Sequence, residues 1–272
     1  MDPTSMHANA AGDAVGWTKE FYSRSRERWG PSGILPHHRE RAASITRLCG
    51  PGSKRILELG AGAGGAAAAL ADLGHSVTAV DIAPPSVVFA RELAREPRPG
   101  ALDVLEVDFF TIQFDGRFDV VAYWNGFGIG TDADQRRLLL RIAHEWLTPG
   151  GSLLLDVFFP LPWMRIAGQQ KRIETDNAGV FLQTSDFDPI GCRFLDCWSC
   201  EGEDRVYAQS IRCYTPADLL LLLEGTGLHI RYAEVDGQAF TPDDTWTEDL
   251  SARFTDAWSY LVQLEITKGS PP

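Results

Sequence analysis

Basic residues are in short supply in this chain. Lys and Arg number 25 against 37 Asp and Glu, a formal net charge of −12 over 272 residues. A nucleic-acid partner would demand a basic face to neutralise phosphates, so that class is set aside. Also missing is an apolar run of membrane-spanning length; Leu219 to Leu223 amounts to one helix face. The first sixteen residues are small and polar, without the basic start and apolar centre of an export signal, so the cytoplasm is the expected compartment. Cysteine is sparse and odd in number, at five. Cys192, Cys197 and Cys200, with Cys213 further on, have a spacing superficially like that of iron–sulfur ligands. A strand over 191–200 would put Cys192 and Cys200 on one face and Cys197 on the other, so free thiols are expected and no metal.

What the chain does have is concentrated in Arg55 to Ile82. Ile56, Leu57 and Leu59 form an apolar run that ends at Gly60, as in a strand buried on both faces. Glycines at 60, 62, 64 and 65 follow, then an alanine-rich helix closed by Gly74, then a strand Val77 to Val80 that stops at Asp81. Glycines let a ligand approach the backbone, the helix start offers unpaired N–H groups, and Asp81 can accept hydrogen bonds from a ribose diol. This is a nucleoside-binding unit. Gly60, Gly62 and Gly65 satisfy the dinucleotide pattern, so an NAD(P)-dependent oxidoreductase is one reading and an S-adenosylmethionine enzyme is the other.

Further along, crossover helices alternate with strands. A helix from Pro84 to Glu96 precedes a strand at Leu102 to Val107, and another strand spans Phe118 to Tyr123. Thr131 or Asp132 caps a helix with Leu139, Ile142, Ala143 and Trp146 on one face, and Ser152 to Phe158 is the fifth strand. Such alternation means a doubly wound α/β fold, and two later strands, Leu228 to Val235 and Tyr260 to Ile266, raise the sheet to seven, mostly parallel, with the last antiparallel. No helix-length segment is read between those last two.

Five parts are expected. Residues 1–16 are disordered, 17–52 form an N-terminal helical cover, and 53–159 form the cofactor-binding core. Residues 160–212 are an inserted antiparallel lid, and 213–268 return to the core. In the cover, helices run from Trp17 to Trp29 and from His38 to Leu48, with His37 in the loop between them.

The motifs ELGAGAG from Glu58, Asp81, VDFF, FDVVAYWNGFG and LTPGGSLLLD resemble those of the class I S-adenosylmethionine-dependent methyltransferases of the small-molecule type. The likeness covers roughly residues 53 to 158 together with the last helix and two strands. It implies a Rossmann-like methyltransferase fold, S-adenosylmethionine as cofactor, and methyl transfer to oxygen or nitrogen of a small molecule, in specialised natural-product metabolism. A protein of this fold that binds cofactor without transfer is a further alternative. Cofactor contacts are expected from Glu58, Gly60, Ala61, Gly62, Gly64, Asp81, Ile82, Asp108, Phe109, Asn125 and Gly126. Many relatives carry an acid where Asn125 stands, so no side chain is singled out as general base. Substrate contacts are expected from Tyr22, Trp29, His37, Trp124, Trp163 and Tyr214, with Tyr22 and Trp29 on one helical face. The expected partner is a small-molecule acceptor, with no nucleic acid and no membrane; a homodimer is an allowed assembly.

Overall fold

The computed structural model describes residues 16–30, 33–175, 179–242 and 247–267. The disorder expected of the N-terminus therefore falls, but for Gly16, outside the described residues. Among the described residues no helix is long and apolar enough to cross a membrane.

Two helices open the chain, α1 (Trp17–Trp29) and α2 (Pro36–Cys49). Pro36 takes the first helical position, where its missing N–H costs nothing, so His37 and His38 lie in the first turn of α2 and not in a loop. The alternating region follows as β1 (Arg55–Leu59), α3 (Gly65–Asp72), β2 (Ser76–Asp81), α4 (Pro84–Ala94), β3 (Ala101–Glu106), β4 (Phe118–Phe127), α5 (Asp132–Arg141) and β5 (Leu147–Phe158). Thr131 caps α5, exchanging hydrogen bonds with Asp134, and one π turn at Ile142–Trp146 ends it. After a short α6 (Pro160–Arg165) come four antiparallel strands, β6 (Gln169–Thr175), β7 (Gly179–Asp188), β8 (Arg193–Cys200) and β9 (Val206–Arg212). The chain then makes α7 (Pro216–Leu223), β10 (Leu228–Val235), β11 (Gln238–Phe240), α8 (Glu248–Asp256) and β12 (Ser259–Ile266).

The main sheet runs β11-β10-β12-β5-β4-β1-β2-β3. Strands β1 to β5 pair in parallel, and β12 is antiparallel to both of its neighbours. The strand order reverses beside β1, which lies between β4 and β2, so the crevice for a ligand opens there. Ile56, Leu57, Glu58 and Leu59 are all buried, as a strand covered on both faces requires. Ile56, Val77, Ala79, Val120 and Ala122 pack toward α2, α3 and α4, whereas Leu57, Leu59, Val121 and Tyr123 pack toward the opposite layer with Leu139 and Trp146.

Two details depart from the sequence reading. The sheet gains an eighth strand, β11, through a turn at Asp236 and Gly237, both with positive φ. That is the geometry an Asp-Gly hairpin favours. A helix, α8, also precedes β12. It carries the chain over β10, from β11 on one side to β12 on the other; both strands are antiparallel to β10, and Phe254 of α8 packs on Phe159, Phe240 and Tyr260.

The small sheet is fastened to the large one beside Gly128 and where Phe158 of β5 packs on Phe194 of β8 at 5.1 Å. Arg212 N–H donates to the Gly128 carbonyl at 3.0 Å, Ile129 bridges Ile211, and Arg193 reaches both Ser210 and Gly128. Its inner face also takes α1, through Phe21 against Trp198 and Phe181 against Trp29.

Gly64 illustrates how tightly the core is joined. Its φ is +78°, and a Cβ there would stand 2.8 Å from the Ala90 Cβ on α4. Gly64→Val should therefore cost about 2–4 kcal/mol from strain and overpacking, read as a lower urea midpoint at unchanged slope.

Candidate functional site

A cavity of about 570 Å³ opens at the carboxyl ends of β1, β2 and β4, beneath α1 and α2. Its floor is the turn after β1. Gly60 and Gly62 have φ of +62° and +56°, conformations that admit glycine without steric cost. Asp81, at the end of β2, holds that turn. One carboxylate oxygen accepts from Gly62 N–H at 2.7 Å and the other from Ala83 N–H at 2.8 Å. Each oxygen keeps a lone pair, so a ribose diol can still donate to it. Burial pushes the Asp81 carboxyl up, while the two N–H groups and the Arg26 guanidinium favour its charged form.

Glu58 is the second acid and is buried. Desolvation pushes it up to about 8, against the pull of Arg41 and the Ala67 N–H. Its Oε2 has no protein partner. Arg41 bonds Asp156 at 3.2 Å and lies over the Trp124 ring. Asp156 in turn accepts from the backbone N–H of Asn125, whose φ of +55° is left-handed. Glu58 and Asp156 thus lie on either side of one guanidinium, and only Asp156 is paired with it.

Aromatic groups close the other sides. The Phe109 ring meets the edge of Tyr123 at 5.2 Å, and the Tyr123 hydroxyl donates to the Gly126 carbonyl at 2.6 Å. A side chain at 126 would collide with that ring, its Cβ 2.4 Å from Tyr123 Cε2. Asp108 accepts from Phe110 N–H at 2.8 Å. From the roof, the His38 ring lies on Gly65 at the start of α3, where a Cβ would sit 2.2 Å from it. Leu35 N–H donates to His38 Nδ1, and burial with the neighbouring cations lowers this imidazole to about 4, so it is neutral with its proton on Nε2. Tyr22 descends from α1, and its hydroxyl donates to the Gln209 side chain of β9 at 3.3 Å.

Of the residues expected at a cofactor, Glu58, Gly60, Ala61, Gly62, Asp81, Ile82, Asp108, Phe109, Asn125 and Gly126 line this cavity. Gly64 does not; it faces α4. Of those expected at a substrate, Tyr22, Trp29, His37 and Trp124 line it. Trp163 and Tyr214 lie elsewhere. Trp163 stacks on Phe194 at 4.0 Å, and Tyr214 is buried in the core with its hydroxyl on Asp132. His38, beside the expected His37, also lines the cavity, as do Arg26 and Arg41, which were not anticipated. Arg26 is four residues from Tyr22 and three from Trp29, on the same helical stripe, and was legible to that extent.

The cysteines fall outside the cavity. The strand begins at Arg193, so Cys192 lies in a left-handed turn before it, with φ +48°. Burial raises Cys197 to about 11 and Cys213 to about 12, which keeps both as thiols. Among the described residues no three His, Cys, Asp or Glu side chains converge as metal ligands would.

Residues 56–151 match the model of a methyltransferase domain family. These residues thus carry a methyltransferase domain, and the fold around them is that of the class I S-adenosylmethionine-dependent methyltransferases. The chain is 29% identical over 191 residues to the cypemycin N-terminal methyltransferase of a Streptomyces species, covering 68% of this chain and 75% of that protein. Among solved structures it is similar to the CcbJ methyltransferase of Streptomyces caelestis, with a TM-score of 0.71 at 22% identity over 94% of this chain and 99% of the other. It is also similar to the sugar N-methyltransferase KedS8 of a Streptoalloteichus species, with a TM-score of 0.63 at 18% identity over 94% and 96%. The methyltransferase uses S-adenosylmethionine as cofactor. The cavity suits it: a glycine turn that admits a nucleoside, a carboxylate with free lone pairs at the next strand, and an acid with an unpartnered oxygen.

Two outcomes are expected from the acids. Asp81→Ala should weaken S-adenosylhomocysteine binding by more than tenfold in calorimetry, because two ribose hydroxyls and two backbone N–H groups lose their acceptor. Glu58 should govern how stability varies with pH. Its folded value near 8 exceeds the ordinary 4.5, so folding holds a proton that the unfolded chain has released. The penalty is absent below about pH 4.5, grows as pH rises and levels off above 8. Glu58→Gln should therefore raise the Tm of the ligand-free protein more at pH 8 than at pH 5.

Proposed function

We propose that this methyltransferase acts on an amine nitrogen of a small organic acceptor in natural-product metabolism, using the cavity acids for the cofactor and the roof aromatics for the acceptor. The observation that carries the reading is the Tyr22 hydroxyl. Its proton is committed to Gln209, so its oxygen offers only lone pairs to a ligand, and a fitting ligand brings a donor, which a neutral amine supplies while needing no base. The relatives support the same assignment. One is named for a peptide N-terminus and another for a sugar nitrogen, and both names describe amine methylation.

When bound, the cofactor supplies a methyl activated by sulfonium charge and leaves as a neutral thioether. The protein's part is alignment and exclusion of water, worth about 7–11 kcal/mol at best. Tyr22 takes one N–H of the neutral amine and so turns the nitrogen lone pair along the axis of attack. With the cofactor bound, that pair would form the new N–C bond as the C–S pair went to sulfur. Trp124, Phe109 and Tyr123 keep water out and offer ring faces to the sulfonium. Positive charge passes to nitrogen, in a cavity that Asp81 and Asp108 line. The extra proton on the product is lost after transfer, so no strong base need act early. A hydroxyl acceptor would need one, and the neutral His38, its Nδ1 engaged by Leu35, is unsuited to that task.

The test is a panel of matched acceptors, amino sugars and free peptide N-termini beside their hydroxy or N-acetyl counterparts, with cofactor carrying a 13C methyl. The label should appear on nitrogen, and transfer to oxygen alone would reject the reading. With the best amine, Tyr22→Phe should lower kcat/KM by roughly tenfold or more, the equivalent of about 1.4 kcal/mol.

A further inference from the structure

The face that the small sheet turns toward α1 is apolar at both ends and polar at its middle. Phe181, Trp198 and Tyr207 occupy one end and pack with Phe21. Phe194 and Ile211 occupy the other and pack with Ile129. The register aligns Asp196 with Gln209 across β8 and β9, and Gln183 lies on the same face of β7. Asp196 is mostly buried there, and burial raises its carboxyl. Among the described residues it forms no ion pair. Its partners are two side-chain amides, Gln183 at 2.8 Å and Gln209 at 3.1 Å, one to each oxygen.

A carboxylate held this way is expensive and calls for a compensating role. Its chemistry supplies one. An ionised carboxylate only accepts, so Gln209 must turn its NH2 toward Asp196 and its carbonyl the other way, toward Tyr22. The Tyr22 hydroxyl must then donate to that carbonyl. Three side chains in series leave a hydroxyl at the cavity with no proton to offer. We infer that Asp196 and Gln209 are positioning residues that fix Tyr22 as a hydrogen-bond acceptor, and so select an N–H-bearing acceptor over one that can only accept. The inference rests on the amine reading above and adds the residues that enforce it.

The test uses two ligands of the intact protein. S-adenosylhomocysteine lacks the transferred methyl; sinefungin carries an amine in its place. Their affinities are measured by calorimetry for wild type, Gln209→Lys, Tyr22→Phe and the double variant. The ammonium that Gln209→Lys introduces would pair with Asp196 and donate to Tyr22, turning the Tyr22 proton toward the cavity. The preference for sinefungin should then fall at least tenfold, with the S-adenosylhomocysteine Kd changed less than threefold. In the Tyr22→Phe background the same lysine should alter the preference less than threefold. A persistent tenfold effect there would mean that the lysine charge acts directly, and it overturns the inference, as does an unchanged preference in Gln209→Lys alone. The swap Asp196→Asn with Gln209→Glu keeps Tyr22 a donor to residue 209 and keeps the net charge. It should retain the wild-type preference within threefold, and a tenfold loss in the folded protein also overturns the relay. Binding of neither ligand by wild type would instead reject the cofactor site itself. Transfer of methyl to oxygen with the relay intact would reject only the amine reading.

Discussion

One carboxylate ties together the two turns that form the floor of the site. Asp81 stands at the end of β2 and accepts from Gly62 N–H in one turn and Ala83 N–H in the next. Two crossover helices begin at those turns, so their orientation to the sheet depends on the same side chain. The carboxylate has given up water to sit there, and backbone hydrogen bonds compensate in part. A nucleoside diol completes the compensation. Structure and ligand therefore draw on one group, and the strand order, which reverses beside β1, puts it at the mouth of the crevice.

Above that floor the roof comes from segments distant in sequence. Helices α1 and α2 bring Tyr22, Arg26, His38 and Arg41, and the small sheet brings Gln209 to the back of Tyr22. Arg41 pairs with Asp156 and lowers the cost of charging the buried Glu58. The attachment of the small sheet at Gly128 matters to this roof too. A Cβ at that glycine would meet the Arg212 carbonyl at 2.2 Å, so the loop after β4 and the strand carrying Gln209 approach as closely as backbone allows.

Much of this was legible in the sequence, for reasons of range. The glycine turn, its helix and Asp81 sit close together in the chain, from Gly60 onward, and their periods and turn residues act locally. The alternation of elements then implied the parallel order of β1 to β5. The eighth strand was overlooked although Asp236-Gly237 marks a hairpin, because a strand as short as Gln238–Phe240 shows no alternation. Trp163 and Tyr214 were assigned to the site because they are aromatic. Aromatic residues also fill cores, and only the packing of Trp163 on Phe194 and of Tyr214 above Asp132 tells the two uses apart. Arg26 and Arg41 depend on how two helices approach the sheet, a long-range matter. Asp196 was visible as an acid among strand residues, but its partners come from two other strands, and no local pattern pairs them.

The central claim is that the bend after β1 holds an adenosine whose sulfur end points under α1 and the small sheet. A crystal structure with S-adenosylhomocysteine tests it most directly. Both ribose hydroxyls should lie on Asp81, adenine between the Asp108 loop and the floor, and the sulfur facing Tyr22. A nucleoside bound elsewhere, or one in this cavity whose sulfur turns away from Tyr22, would contradict it.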